Sequence, residues 1–163
     1  MRAHVGWYEW LLFLHVLAAF AMVASLVALT ALNVALWNVD RPATALTLFR
    51  IAGPAGILVG IGAVGTLVFG VWLAIYVDGY ELWDGWIAAA LVLWAVAGGT
   101  GDRVGRHYTT VRKQAERLLA DGNEGPSGEV VAGIRARRPL VLHAVTVVSV
   151  LALLLLMIFK PGA

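Results

Sequence analysis

The stretch Trp7–Trp37, WYEWLLFLHVLAAFAMVASLVALTALNVALW, decides the fold. From Leu11 to Leu32 it carries no formal charge, and His15, Ser25 and Thr30 are its only polar side chains. About 20 apolar residues suffice to cross a bilayer as a helix, and this run exceeds that. Trp7, Tyr8 and Trp10 at one end and Trp37 at the other stand where interfacial anchors belong. The run is too long for a signal-peptide core, and no small-residue cleavage pattern follows it, so it reads as a retained span.

His15 is the residue that plain lipid does not explain. An ionisable side chain inside a span costs free energy and marks a functional site by default. On an ideal helix it shares a stripe with Ala18, Ala19, Met22 and Ser25. The two alanines predict open space beside the imidazole. Two readings stand side by side: a ligand or proton-relay role, or a neutral histidine that bonds a neighbouring helix and holds the bundle together.

The whole chain agrees with a membrane reading. Of its 163 residues 61% are hydrophobic and 13% charged, more apolar surface than a soluble domain of this size hides. The expectation is a single integral membrane domain over residues 1–163. There is no cysteine, which excludes disulfides, thiolate metal sites, iron–sulfur clusters and cysteine-based copper transfer.

Outward from the first span, taken as residues 10–37, the chain reads as an all-α, four-transmembrane-helix bundle. His4 lies in a short solvated tail. DRPATALTLFR is a connection, with Pro42 as its breaker. Span two covers residues 51–76 and is glycine-rich. Gly53, Gly56, Gly60 and Ala63 share one face, extended by Gly70 and Ala74, while Gly62 and Gly65 lie on another side. Such a face packs closely against a neighbouring helix, docks a second copy or a partner subunit, or leaves room for a flat ligand. The incomplete GxGxxG at Gly60, Gly62 and Gly65 sits mid-membrane and is no nucleotide loop. Asp78, Glu81 and Asp84 make an acidic turn among Tyr76, Tyr80, Trp83 and Trp86; a solvated loop is the plain reading, a cation site the sharper one.

Span three covers residues 82–98, after which GGTG at Gly98–Gly101 is expected to loosen the helix. Residues 99–138 form an amphipathic segment. Val104, Tyr108, Val111, Ala115 and Leu118 recur at helical spacing among Arg103, Arg106, Arg112, Lys113 and Arg117. It reads as a helix on the membrane surface or as an extension of span three into water. Its basic face suits anionic lipid heads rather than nucleic acid, and His107 in it is expected to face solvent. Asp121–Glu129 reads as a loop, and span four covers residues 139–159.

The loop after span three holds seven arginines and Lys113 against five acids, whereas the loop after span two holds acids alone. By the positive-inside rule the basic loop is cytoplasmic and both termini lie outside, in a bacterial-type plasma membrane. His15 then sits roughly 8 Å below the outer aromatic belt, and His143, four residues past Pro139, lies near the inner face. The two imidazoles differ in depth by about 15 Å and do not form one axial pair. Met157 and Lys160 end span four nearer the level of His15. Met157 is a second candidate ligand or simple packing, and Lys160 a snorkelling anchor.

LHVLAAFAMVASL, with His15 followed by Ala18 and Ala19, resembles the first helix of the four-span superfamily that includes the copper-resistance D domain and the HemJ-type protoporphyrinogen oxidases. The Lys160–Pro161 ending and the NEGP at Asn123–Pro126 are similar to features of that group. The closest overall likeness is to its uncharacterised predicted integral membrane proteins. The resemblance implies haem b binding, with His15 as the axial ligand and metal-binding residue; Ala18, Ala19, Met22, Met157 and Lys160 are the further residues expected around the cofactor. Residues 82–99 hold no lysine, although HemJ-type enzymes carry one in the third-helix region, so protoporphyrinogen oxidation is not carried over. Only Met22 and Met157 offer soft ligands within the spans, thin support for copper handling. A haem-binding redox protein is therefore expected first, an accessory or interaction subunit second, and a copper or small-solute transporter third, since no paired carboxylates or internal repeat mark a path.

The topology has a direct check. A tag fused to either terminus is expected to be reached by antibody on intact cells, while a tag in residues 99–138 needs permeabilisation; the reverse pattern overturns the orientation.

Overall fold

A computed structural model describes residues 6–77, 81 and 83–161. His4, Asp78, Tyr80, Leu82 and Gly162 lie outside the described residues, and with them part of the acidic turn. Every described element is helical: α1 (Trp7–Leu36), α2 (Pro42–Tyr76), α3 (Gly85–Ala120), α4 (Gly128–Ile134) and α5 (Arg137–Phe159). Four helical stretches are long and apolar enough to cross a membrane. The exterior of these stretches is apolar too: Phe20, Val34, Ile57, Ile61, Val148 and Ile158 stand exposed, as they must where the solvent is lipid.

α1 packs most extensively on α2, and α3 on α5; α2 and α3 join the two pairs. The strands of contact leave the edge between α1 and α5 as the lightly packed side of the bundle.

Two helices start or run further than the sequence predicts. α2 begins at Pro42, not at Ile51. Proline breaks a helix from within but suits its first position, where an N–H has no partner to lose. α3 runs through GGTG without interruption to Ala120. In lipid an opened turn strands backbone groups that nothing else satisfies, so glycine does not break the helix there as it does in water. Thr100 Oγ1 caps this stretch sideways, 2.7 Å from Thr146 Oγ1 on α5.

At roughly 52 and 54 Å, α2 and α3 are longer than the ~30 Å hydrocarbon core. Their surplus turns pack on each other and on α4 to make a lobe at one end of the bundle. Its core is Leu36, Val39, Ala45, Leu46, Phe49, Val111, Ala115, Val130 and Ile134. The amphipathic helix expected in residues 99–138 is thus the continuation of α3, with its basic side chains exposed. The loop expected to reach Glu129 ends earlier, because Ser127 caps α4 by accepting from the Val130 N–H at 3.4 Å. Ser127's own N–H donates to the Asp40 carbonyl at 2.8 Å, and Arg135 Nε donates to the Trp37 carbonyl at 3.1 Å. His107 corrects another expectation. It does not face solvent: its Nε2 donates to the Gly133 carbonyl at 2.8 Å and the ring is half-buried against α4. Gly133 makes this approach possible, since a Cβ there would come within 2.8 Å of Val111.

Ile134 is 1% exposed, so Ile134→Ala should cost the lobe about 2–5 kcal/mol. Limited trypsin digestion in detergent is expected to cut faster between Arg112 and Arg135. Unchanged digestion would show that α4 does not hold the lobe together.

Candidate functional site

The site is built on the contact between α1 and α2. A Cβ at Gly62 would stand 2.6 Å from the Met22 nitrogen and 2.8 Å from the Ala18 carbonyl oxygen. One at Gly65 would meet the Ala18 methyl at 2.9 Å, and one at Gly70 the His15 Cε1 at 2.9 Å. These three glycines are the surface on which α1 lies. This corrects the face read from spacing. Gly53, Gly56 and Gly60 meet nothing within 4 Å, while Ala63 packs on the cluster of Met22, Leu26, Ala97 and Val150 and Ala74 packs with Trp86 of α3. A helix has 3.6 residues per turn, so a stripe kept at sevens drifts by ~20° each heptad. Over the length of α2 one apparent face serves three surroundings.

The His15 ring lies over Gly70, and its Nδ1–H donates to the Thr66 carbonyl at 3.1 Å. A carbonyl only accepts, so the proton of the neutral ring is on Nδ1. Nε2 keeps its lone pair, and no hydrogen bond among the described residues engages it. Thr66 is itself fixed, with Oγ1 donating to the Gly62 carbonyl at 2.7 Å. A backbone carbonyl that orients the second nitrogen is the usual support of a metal-ligating imidazole. The same bond also ties two helices together, so both readings of His15 meet in one geometry.

Beside the ring is a cavity of about 630 Å³ lined by α1, α2, α3 and α5. His15, Ala19, Met22, Met157 and Lys160 are on its wall. Ala18 is not: its methyl is pressed toward Gly65, so the open space expected beside both alanines exists beside Ala19 alone. The polar atoms are few and sit at two levels. His15 and Thr66 are deep. Tyr8, Trp86 and Lys160 are at the end where α1 begins and α5 finishes. Lys160 caps α5 in the left-handed region, at φ 38°, and its Nζ lies 5.7 Å from the centre of the Trp86 ring. Trp94 anchors the inner wall, its Nε1–H donating to the Ala63 carbonyl at 3.0 Å.

His143 belongs to a different level. Its Nε2 lies 2.9 Å from Thr30 Oγ1, which also reaches the Leu26 carbonyl at 2.8 Å. Thr30 is fifteen residues beyond His15 on α1, roughly 22 Å along the helix. The two imidazoles do not share a site, and His143 Nε2 is engaged by Thr30. Among the described residues no three His, Cys, Asp or Glu side chains gather as a metal cluster. Of the acidic turn, Glu81 and Asp84 hold the turn itself: Asp84 accepts from the Glu81 N–H at 3.0 Å, and Glu81 accepts from the Trp83 indole.

Sequence reading passed over Thr66, Gly70 as the seat of His15, and Trp94. One signal pointed at them: Thr66 is the only serine or threonine in residues 51–76.

Four apolar spanning helices around an internal cavity define an integral membrane protein. Over residues 9–161 the chain matches the family described as predicted integral membrane protein (DUF2269), and it belongs to that family. The family description speaks of neither copper nor haem. No curated protein and no solved structure matches the chain.

The glycine geometry separates two sets of substitutions. Gly62→Ala forces a backbone clash and should lower stability by about 1–3 kcal/mol, read as an earlier thermal aggregation midpoint in detergent. Gly56→Ala and Gly60→Ala should leave the midpoint unchanged or raise it. Equal losses at all three positions would refute the assignment of the packing face.

Proposed function

We propose that this protein binds haem b in the intramembrane cavity, with His15 Nε2 as an axial ligand, and has a redox role. The observation that carries the reading is the free Nε2 of a ring locked by Thr66 at the wall of the cavity. The volume falls in the range of small-molecule sites, and the wall is mainly apolar with a few fixed polar atoms, as such sites are. Gly70 lets the imidazole come up against α2, and Ala19 keeps space open beside it. Met157 offers a thioether on the α5 wall. Lys160 and Tyr8 stand at the outer rim, about 10 Å along α1 from His15, where acidic arms of a porphyrin would be met. Bound haem iron supplies one-electron chemistry. The protein's part is to fix the ligand nitrogen, exclude water with apolar walls and hold charge at the rim. In the orientation that goes with this reading the lobe is cytoplasmic and the site lies toward the outer leaflet.

A second reading is favoured by a separate observation. Gly56, Ile57, Gly60, Ile61, Val64 and Val68 line an open groove on the lipid side of α2, where close helix approach is possible. An accessory subunit or a second copy would dock there.

The deciding measurement is the reduced-minus-oxidised absorption spectrum of the detergent-purified protein. A Soret band is expected, lost in His15→Ala and kept in His143→Ala. Gly70→Ala should weaken haem retention by ~10- to 100-fold, the effect of disturbing a ligand's support. A Soret band indifferent to His15→Ala removes the assignment.

A further inference from the structure

The cavity has a side that belongs to the bilayer. Apart from Leu91, the large apolar residues that both line it and stand exposed are Leu12, Val16, Phe20 and Ile158, with Tyr8 beside them, all on α1 or α5. Phe20 and Ile158 are the extreme cases, at 70% and 71% exposure. The other walls are knitted. His15 bonds α2, Trp94 bonds α2 from α3, and Ala74, Trp86 and Ile87 pack together with Leu156 and Met157 of α5. The α1–α5 edge itself is closed further along. Met22, Leu26 and Val150 form one cluster there, and Thr30 meets His143. Beside the cavity, among the described residues, no hydrogen bond or buried cluster joins α1 to α5 in the same way.

We propose that the cavity opens sideways into the bilayer between α1 and α5, and that its ligand is a membrane-dissolved amphiphile with an apolar body and a carboxylate. The body passes between Val16, Phe20 and Ile158 without entering water. The carboxylate stays at the interface and is met by Lys160, whose cation sits on the rim over Trp86. An apolar opening flanked by lipid-facing side chains favours such a molecule because partitioning has already removed it from water. This rests on the cavity being the binding site proposed above, but not on iron.

The test uses the full chain in proteoliposomes with a long-chain fatty acid carrying a diazirine at its tail, irradiated and mapped by mass spectrometry. Label is expected on Ile87, Ala90 or Trp94, inside the cavity, as well as on lipid-facing positions such as Ile61. Lys160→Gln should reduce the interior label from the acid and leave that from the matching alcohol unchanged, while Val16→Trp should reduce both. Label confined to lipid-facing residues overturns lateral entry. Equal loss of acid and alcohol label in Lys160→Gln overturns the carboxylate. Interior label that haemin fails to displace leaves lateral entry standing and counts against the haem reading alone.

Discussion

The bond from His15 Nδ1 to the Thr66 carbonyl is the constraint from which the site follows. It requires the imidazole to lie against α2, which requires Gly70 to have no side chain. It requires α1 to approach so closely that Gly62 and Gly65 must be bare as well. In water this helix would be a poor one, with glycines throughout its middle. In lipid the alternative to a helical hydrogen bond is an unsatisfied amide, so the glycines cost little order and gain close contact. The bond also decides the tautomer. Had Nδ1 faced the cavity and Nε2 the carbonyl, the fold would be equally well tied and the nitrogen on offer would be a different one.

The bundle is asymmetric from end to end, and the asymmetry separates rigidity from openness. At the lobe end the overlong α2 and α3 continue beyond the membrane and are clasped by α4, with Val111, Ala115, Val130 and Ile134 almost fully buried. The α1–α5 edge is drawn shut there by Thr30 and His143. At the opposite end no comparable lobe is described, and among the described residues no hydrogen bond or buried cluster joins the same two helices in that way beside the cavity. A four-helix bundle held firmly at one end can tolerate a gap at the other. Packing in the membrane cannot rely on expelling water, so gaps close only where shapes or polar groups match.

What the residues disclosed in advance was the part set by hydrophobicity. Four spans and the amphipathic character of Val104 to Leu118 follow from runs and periods, and the helices reproduce them, whereas Trp86, read as one of the aromatic residues around the acidic turn, is buried in the core. Ends were misread wherever a rule learned in water was applied to lipid or to a helix terminus. Pro42 starts α2 instead of preceding it, and Gly98 to Gly101 interrupt nothing. The site was legible at His15 and not at its supports. Read step by step, the small residues run from Gly53 to Gly70 as one stripe, but over those seventeen residues the stripe turns by about 100°, so α1 covers Gly70 and leaves Gly53 bare. His107 was misplaced for the same reason, since its partner is a carbonyl of α4 that carries no signal in sequence.

The contrast between the two histidines of the spans supports the proposal that His15 is a ligand. Both are half-buried, and both sit beside a threonine-bearing helix. His143 meets Thr30 through Nε2, and its Nδ1 has no hydrogen bond among the described residues either, but His143 is not on the wall of the cavity. His15 meets a carbonyl, which accepts only, and the second nitrogen is left as a lone pair at an apolar wall. A strut needs no open volume next to it, and small residues beside a strut would be an avoidable loss of packing. Ala19 next to His15 forgoes contact that a larger side chain would make. That loss of packing supports the proposed reading, in which something other than protein fills the space beside His15.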